Sequence, residues 1–185
     1  MSHFQANCET VAADLSWLTP QLAIGSRLDD RCVPHAAQVL GIRRVVDVRS
    51  EMRPSRELLK QHGIAVLHLP TADLHPVTSV MIWRGVHWVS EGIGRGEKVL
   101  IHCHYGIGRS ALLACCVLVD QGLSPLCAWE TAKRARRIVS PTPEQIHAFL
   151  DWVDNWRDVR GHECGRACWD EIADVVYRGI TGNPS

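Results

Sequence analysis

The segment from Val99 to Val119 constrains the fold more than any other part of the chain. Val99, Leu100 and Ile101 form an apolar run bounded upstream by Gly94, Arg95 and Gly96, the pattern of a short buried strand. Ala111 to Val119 is apolar nearly all round, which predicts a buried helix ending near Gly122. Between them lies a loop punctuated by Gly106 and Gly108. Such a loop suits an anion. The glycines let the backbone curl so that successive N–H groups point inward, and the helix N-terminus adds positive potential.

Cys103 opens this loop and Arg109 closes it, with five residues between them. A thiol at the mouth of an amide-lined ring, near a helix N-terminus and an Arg, is expected to ionise readily, and the thiolate is the nucleophilic form. Arg109 offers a planar fork of donors matched to two oxygens of a phosphoryl group, a geometry Lys does not have. The same donors can follow the equatorial oxygens as the group passes from its leaving oxygen to sulfur. Ser110 comes next, its hydroxyl placed to hydrogen-bond the sulfur and ease its departure. The amides of His104, Tyr105, Gly106, Ile107 and Gly108 are expected to face the bound phosphate. Most free cysteines are simply buried apolar groups. That reading suits Cys115 and Cys116 on the following helix, but not a cysteine followed by two glycines and an arginine in a loop.

The run from His102 to Ser110 resembles the active-site signature of the cysteine-dependent protein tyrosine phosphatases. Trp17 to Gly25, followed by Ser26, resembles the opening segment of their dual-specificity branch, and the resemblance extends from about Trp17 to Arg157. It implies a phosphatase that forms a phosphocysteine intermediate, with phosphotyrosine and phosphoserine or phosphothreonine proteins as substrates. It implies the fold of that superfamily too. Asp73, in the Pro-flanked loop Leu69 to Pro76 and thirty residues before Cys103, matches the family's general-acid loop in order and spacing. A leaving alkoxide or phenolate needs a proton, so such an acid is required. An Asp in a loop of this kind is more commonly a turn or cap residue, and the Cys103 loop tips the balance toward catalysis. His75 is the second candidate acid, and Asp47 is disfavoured because it sits within a strand pattern. His102 is expected to support the loop by hydrogen bonds. Gln145 loosely matches a position where related enzymes orient a water.

Length and composition set the remaining bounds. At 185 residues the chain suits one domain, with 46% hydrophobic and 22% charged residues as in ordinary globular proteins. The formal net charge is zero, so neither nucleic-acid nor membrane-surface binding is expected. No apolar run is long enough to span a bilayer, and the first residues lack a basic-then-apolar export pattern. With eight cysteines and a thiol to keep reduced, a cytoplasmic location is expected. No metal or other cofactor is expected, because Arg109 and backbone amides supply the charge stabilisation. His162, Cys164 and Cys168 lack the spacing and fourth ligand of a zinc site.

Taken in order, residues 1–14 read as a loose arm, 15–160 as the catalytic domain, and 161–185 as an extension with one short helix. A strand pair spans Trp17 to Gly25. A short helix over Ala36 to Leu40 leads to a strand at Arg43 to Val48. A helix at 54–62 has Pro54 in its first turn, and Ile64 to Leu69 is a second buried strand. Helical spacing recurs over Thr78 to Ile93, Ser124 to Val139, Glu144 to Val159 and Trp169 to Tyr177. Lys133 to Arg137 is expected to be a solvated helix face, with a rim attracting acidic substrates as the sharper option. Alternating strands and helices predict an α/β fold, a central mostly parallel sheet flanked by helices on both faces, with a C-terminal helical extension. Its site is expected beyond the carboxyl ends of the strands, where Cys103 falls. The expected partner is a phosphorylated protein or peptide, and nothing in the sequence speaks to oligomeric state. Three alternatives stand. In the first, the same scaffold serves phosphoinositides, inositol phosphates or RNA 5′ phosphates, though residues 104–108 lack the Lys that binds extra phosphates in lipid-active relatives. The others are a non-catalytic phosphate-binding module and a rhodanese-type sulfur transferase.

Overall fold

The computed structural model describes residues 11–51, 55–161 and 165–179. Strands β1 (Leu15–Trp17) and β2 (Leu22–Gly25) form an antiparallel pair around Pro20, and the Thr19 hydroxyl accepts the N–H groups of Gln21 and Leu22 in the turn. They join β3 (Ile42–Arg49), β4 (Ala65–Thr71) and β5 (Lys98–His102) in a sheet of order β1-β2-β5-β3-β4, parallel throughout except for β1. Strand β5 lies at the centre, so the residues following it emerge from the middle of the sheet.

The side-chain alternation of a strand explains the two layers. On one face Val99 and Ile101 join Leu22, Ile24, Val46 and Val48 in the large core beneath helices α2 (Ser79–Gly94), α3 (Arg109–Asp120), α4 (Pro125–Ala135), α5 (Pro143–Arg160) and α6 (Trp169–Val176). On the other, Leu100 joins Ala23, Ile42 and Val45 under α1 (Arg56–Gln61) and the π-helical turn at 35–39. Every residue from Arg109 to Val119 is buried, as an all-round apolar pattern demands. Each large apolar side chain placed there contributes about 1.5–3 kcal/mol.

Several boundaries differ from expectation, β4 among them, which runs on to Thr71 rather than ending at Leu69. Helix α4 stops at Ala135 rather than Val139, because Arg136 leaves helical geometry (φ −137°, ψ 94°) to reach another part of the chain. Helix α1 begins at Arg56, capped by the Ser55 hydroxyl, and the expected role of Pro54 lies outside the described residues. So do residues 1–10, His162 and Cys164. The C-terminal helix α6 places Ile172, Val175 and Val176 in the large core, and the Tyr177 hydroxyl donates to the Pro141 carbonyl at 2.8 Å. Among the described residues no helix is long and apolar enough to cross a membrane, and no group of three His, Cys, Asp or Glu is placed to hold a metal.

Candidate active site

Three neighbouring strands deliver three side chains to one point. Cys103 follows β5, Glu51 follows β3 and Asp73 follows β4, all at the carboxyl edge of the sheet, the crevice where open α/β sheets place their sites.

The loop from Cys103 to Arg109 is wound with its amides inward because its carbonyls are held outward. Arg27 N–H donates to the His104 carbonyl at 3.0 Å and Ser140 N–H to that of Ile107 at 3.1 Å. Arg136 donates to the carbonyls of Tyr105 (2.8 Å) and Gly106 (3.2 Å), while its other donors pair with both oxygens of Asp14 at 2.9 and 2.7 Å. Gly106 adopts φ +71°, and a Cβ there would meet the Gly25 carbonyl at 2.7 Å. A Cβ at Gly108 would press on the end of the Gln145 side chain. The tight ring therefore depends on Gly106, where the clash is with backbone and the conformation is left-handed.

Within this ring Gly106 N–H donates to Cys103 Sγ at 3.1 Å, and Ser110 Oγ lies 3.3 Å from the sulfur. Burial alone pushes the Cys103 thiol up. The Ser110 hydroxyl and the backbone N–H groups of Ser110, Ile107 and Gly106 outweigh it and hold the thiol below its ordinary value. At Cys115 and Cys116 burial dominates, and their thiols are pushed well above the ordinary range.

Arg109 is buried and held from three sides. Glu51 accepts from Nη1 and Nη2 at 3.0 and 2.9 Å, the Thr71 carbonyl accepts from Nη1 at 2.8 Å, and Asp73 pairs with Nη2 at 2.8 Å. Hydrogen bonding from Arg109 brings the Glu51 carboxyl down to about 2 against a smaller opposing effect of burial. Glu51 and Thr71 were not singled out in the sequence. The available signal was topological: β3 pairs Asp47 with His102, so residues just past β3 must border the loop. Glu51→Gln is expected to lower kcat/KM on an aryl phosphate about tenfold, the scale of one charge-assisted hydrogen bond. Steady-state kinetics check this, and unchanged values would show that Arg109 is oriented by other means.

The Asp73 loop is fastened from α5. Thr142 Oγ1 donates to the Leu74 carbonyl at 3.2 Å and Gln145 Nε2 to the His75 carbonyl at 3.0 Å. The same two residues form the capping box of α5, so the helix start and the loop are fixed together. Leu74 carries φ +64°, a strained conformation for a non-glycine residue that holds the turn after Asp73. The His75 ring folds back to within 2.8 Å of the Asp73 carbonyl. A pocket of about 150 Å³ is lined by Asp73, Leu74, Cys103, Tyr105, Arg109 and Gln145, with Ile107, Gly108, Ser140 and Thr142. His75 does not line it. Gln145, only loosely matched in the sequence, does.

His102 is fully buried, its Nδ1 3.5 Å from the Cys103 carbonyl and its Nε2 without a hydrogen-bond partner among the described residues. Its support of the loop by hydrogen bonding is thus a single long contact. Asp47 is committed to Arg49 through contacts of 3.0 and 3.1 Å, with one oxygen 4.0 Å from His102 Nε2. Burial depresses the His102 pKa to about 4, against attraction from Asp47. Between about pH 6.5 and 4 the unfolded chain therefore binds a proton the folded chain refuses, so stability falls as pH falls through that window. The loss is expected to reach about 3 kcal/mol at the acid end. Chemical denaturation at stepped pH checks it, and His102→Gln is expected to flatten the slope.

The cluster Lys133 to Arg137 is not uniformly a solvated face. Arg134 and Arg137 are exposed, but Arg136 is buried against the catalytic loop, and Lys133 donates to the carbonyls of Val139 and Val176. Arg136 and Asp14 were missed because they are 122 positions apart in the chain.

Residues 28–155 match the family described as dual specificity phosphatase, catalytic domain. A curated relative, cyclin-dependent kinase inhibitor 3 of Rattus norvegicus, is 30% identical over 82 residues, 43% of this chain and 39% of the relative. The chain thus spans about two-fifths of the length of the curated relatives it matches. Among solved structures, Tk-PTP in the active form superposes with a TM-score of 0.71 at 24% identity, covering 76% of this chain and 97% of that one. PTPMT1 in complex with PI(5)P superposes with a TM-score of 0.74 at 19% identity, covering 80% and 99%. The fold is shared with these structures. Because the family match runs from the residues preceding β3 to the last turns of α5, the chain belongs to the dual specificity phosphatase catalytic domain family.

Proposed function

We propose that this chain hydrolyses phosphomonoesters on tyrosine, and on serine or threonine, of proteins or peptides through a phosphocysteine intermediate. The observation that carries the reading is the sulfur of Cys103 seated among inward amides beside the guanidinium of Arg109.

In the first step Cys103 Sγ attacks phosphorus, and the P–O bond to the leaving group breaks. The loop amides from His104 to Gly108 and the Arg109 donors hold the remaining oxygens. Asp73 gives its proton to the leaving oxygen. In the apo site Asp73 is paired with Arg109, which places its carboxyl beside the phosphate-binding donors. In the second step water attacks phosphorus, Asp73 accepts its proton, and the P–S bond breaks while Ser110 hydrogen-bonds the departing sulfur.

The pocket supports a single phosphate. Among the described residues that line it, Arg109 is the only cation, whereas a headgroup with several phosphates calls for several. A cytoplasmic site of action fits the six described cysteines, all of them free thiols. Turnover of p-nitrophenyl phosphate without added metal, blocked by orthovanadate, is expected. Phosphate binding without turnover would instead make the chain a binding module, and sulfur transfer from thiosulfate would make it a rhodanese.

A further inference from the structure

Resting on that phosphatase reading, we propose that the groove between α4 and α6 docks an acidic stretch of the phosphorylated protein substrate, outside the catalytic pocket. The groove encloses about 610 Å³ and is lined by Lys133, Arg134, Arg137 and Arg178, with Glu130 its one acidic lining residue. The chain as a whole has zero formal charge, so this is a local concentration of positive potential rather than general basicity. Arg134, Arg137 and Arg178 are exposed, and none forms an ion pair among the described residues.

Lys133 has a different task. Its Nζ donates to the carbonyls of Val139 at 3.0 Å and Val176 at 2.7 Å, fixing α6 and the 136–140 segment to α4. The three guanidinium groups are therefore carried on a rigid frame. Cations at helix C-termini also complement the helix dipole, which accounts for Arg134 in the last turn of α4 and Arg178 just beyond α6. It does not account for Arg137, which lies past the end of α4 in non-helical chain.

The occupant follows from the chemistry and the position. Guanidinium forks match carboxylates in a bidentate geometry. Arg137 stands three residues before Ser140, which lines the catalytic pocket, so at most about 11 Å of backbone separates them. An extended peptide, rising roughly 3.3 Å per residue, would bring acidic side chains to the groove a few positions from its phosphorylated residue. Helix α6 lies past residue 155, where the family match ends, so one wall of the groove is supplied by the extension of this chain.

The test compares two phosphotyrosyl peptides, one flanked by a run of Glu and the other by Gln, with p-nitrophenyl phosphate as the small substrate. Exposed ion pairs each contribute a factor of roughly 1.4 to 5, so three are expected to give about a tenfold preference in kcat/KM for the acidic peptide. That preference is expected to shrink in 0.5 M salt. The variant Arg134→Ala/Arg137→Ala/Arg178→Ala is expected to lose the preference while turning over p-nitrophenyl phosphate as the native chain does, and Arg178→Glu alone is expected to reverse part of it. Equal kcat/KM for the two peptides in the native chain would overturn the docking site, as would a preference that survives the triple variant. Triple-variant losses on p-nitrophenyl phosphate as large as on the acidic peptide would overturn it too, and so would binding to anionic vesicles in place of the peptide. A native chain inactive on p-nitrophenyl phosphate would overturn the phosphatase reading instead.

Discussion

Replacing Cys103 with serine is expected to lower turnover of any phosphomonoester by roughly 10⁴-fold or more, as removal of a covalent nucleophile does. The variant should still bind phosphate or vanadate. The ring that holds the oxygens is made of backbone amides, and its outward carbonyls are anchored by Arg27, Arg136 and Ser140 rather than by the thiol. A serine hydroxyl can accept the Gly106 N–H in place of sulfur but stays protonated at neutral pH. Single-turnover kinetics with a phosphate-binding assay separate the two properties. Full activity in the serine variant would remove Cys103 as nucleophile.

Asp73→Asn is expected to cost about 10² to 10⁴ in kcat on a phosphotyrosyl peptide, the range for loss of a positioned general acid. With an aryl ester whose phenolate departs without a proton, the loss should be much smaller. The substitution keeps the size of the side chain and its reach to Arg109, so the difference between substrates isolates proton transfer. It also leaves the carbonyl-to-side-chain bonds from Thr142 and Gln145 that hold the loop. Equal and negligible effects on both substrates would move the acid role elsewhere. His75 is the neighbour to examine then, although its ring is turned onto the Asp73 carbonyl.

The parts of this site written in contiguous residues were readable in the sequence. Strand β5, the loop and helix α3 follow one another, so a buried run, two glycines and a second buried run define the cradle and place Cys103, Arg109 and Ser110 within it. The mostly parallel sheet with helices on both faces followed from the same alternation. What supports the loop was not readable, because its partners are distant in sequence. Glu51 reaches Arg109 across 58 positions, and Asp14 reaches Arg136 across 122. Arg136 shows the physical reason most plainly. Lys133 to Arg137 has ordinary helix propensity, so helix was expected through Val139. Bonds to two loop carbonyls and a carboxylate outweigh a few tenths of a kcal/mol of propensity per residue and end the helix early. Gln145 needed the fold in the same way: its amide caps α5 and tethers the Asp73 loop, two tasks that no local pattern combines.

The central claim is that backbone and hydroxyl donors hold the thiol of residue 103 below its ordinary range and so favour the thiolate. Site-resolved alkylation by iodoacetamide, followed by mass spectrometry across a pH series, reads that ionisation directly and separates Cys103 from the exposed thiols of Cys127 and Cys168. Cys103 is expected to titrate clearly below the value of about 8.5 found for free cysteine, with Ser110→Ala moving it upward. Titration of Cys103 near that free value, unmoved by Ser110→Ala, would contradict the account.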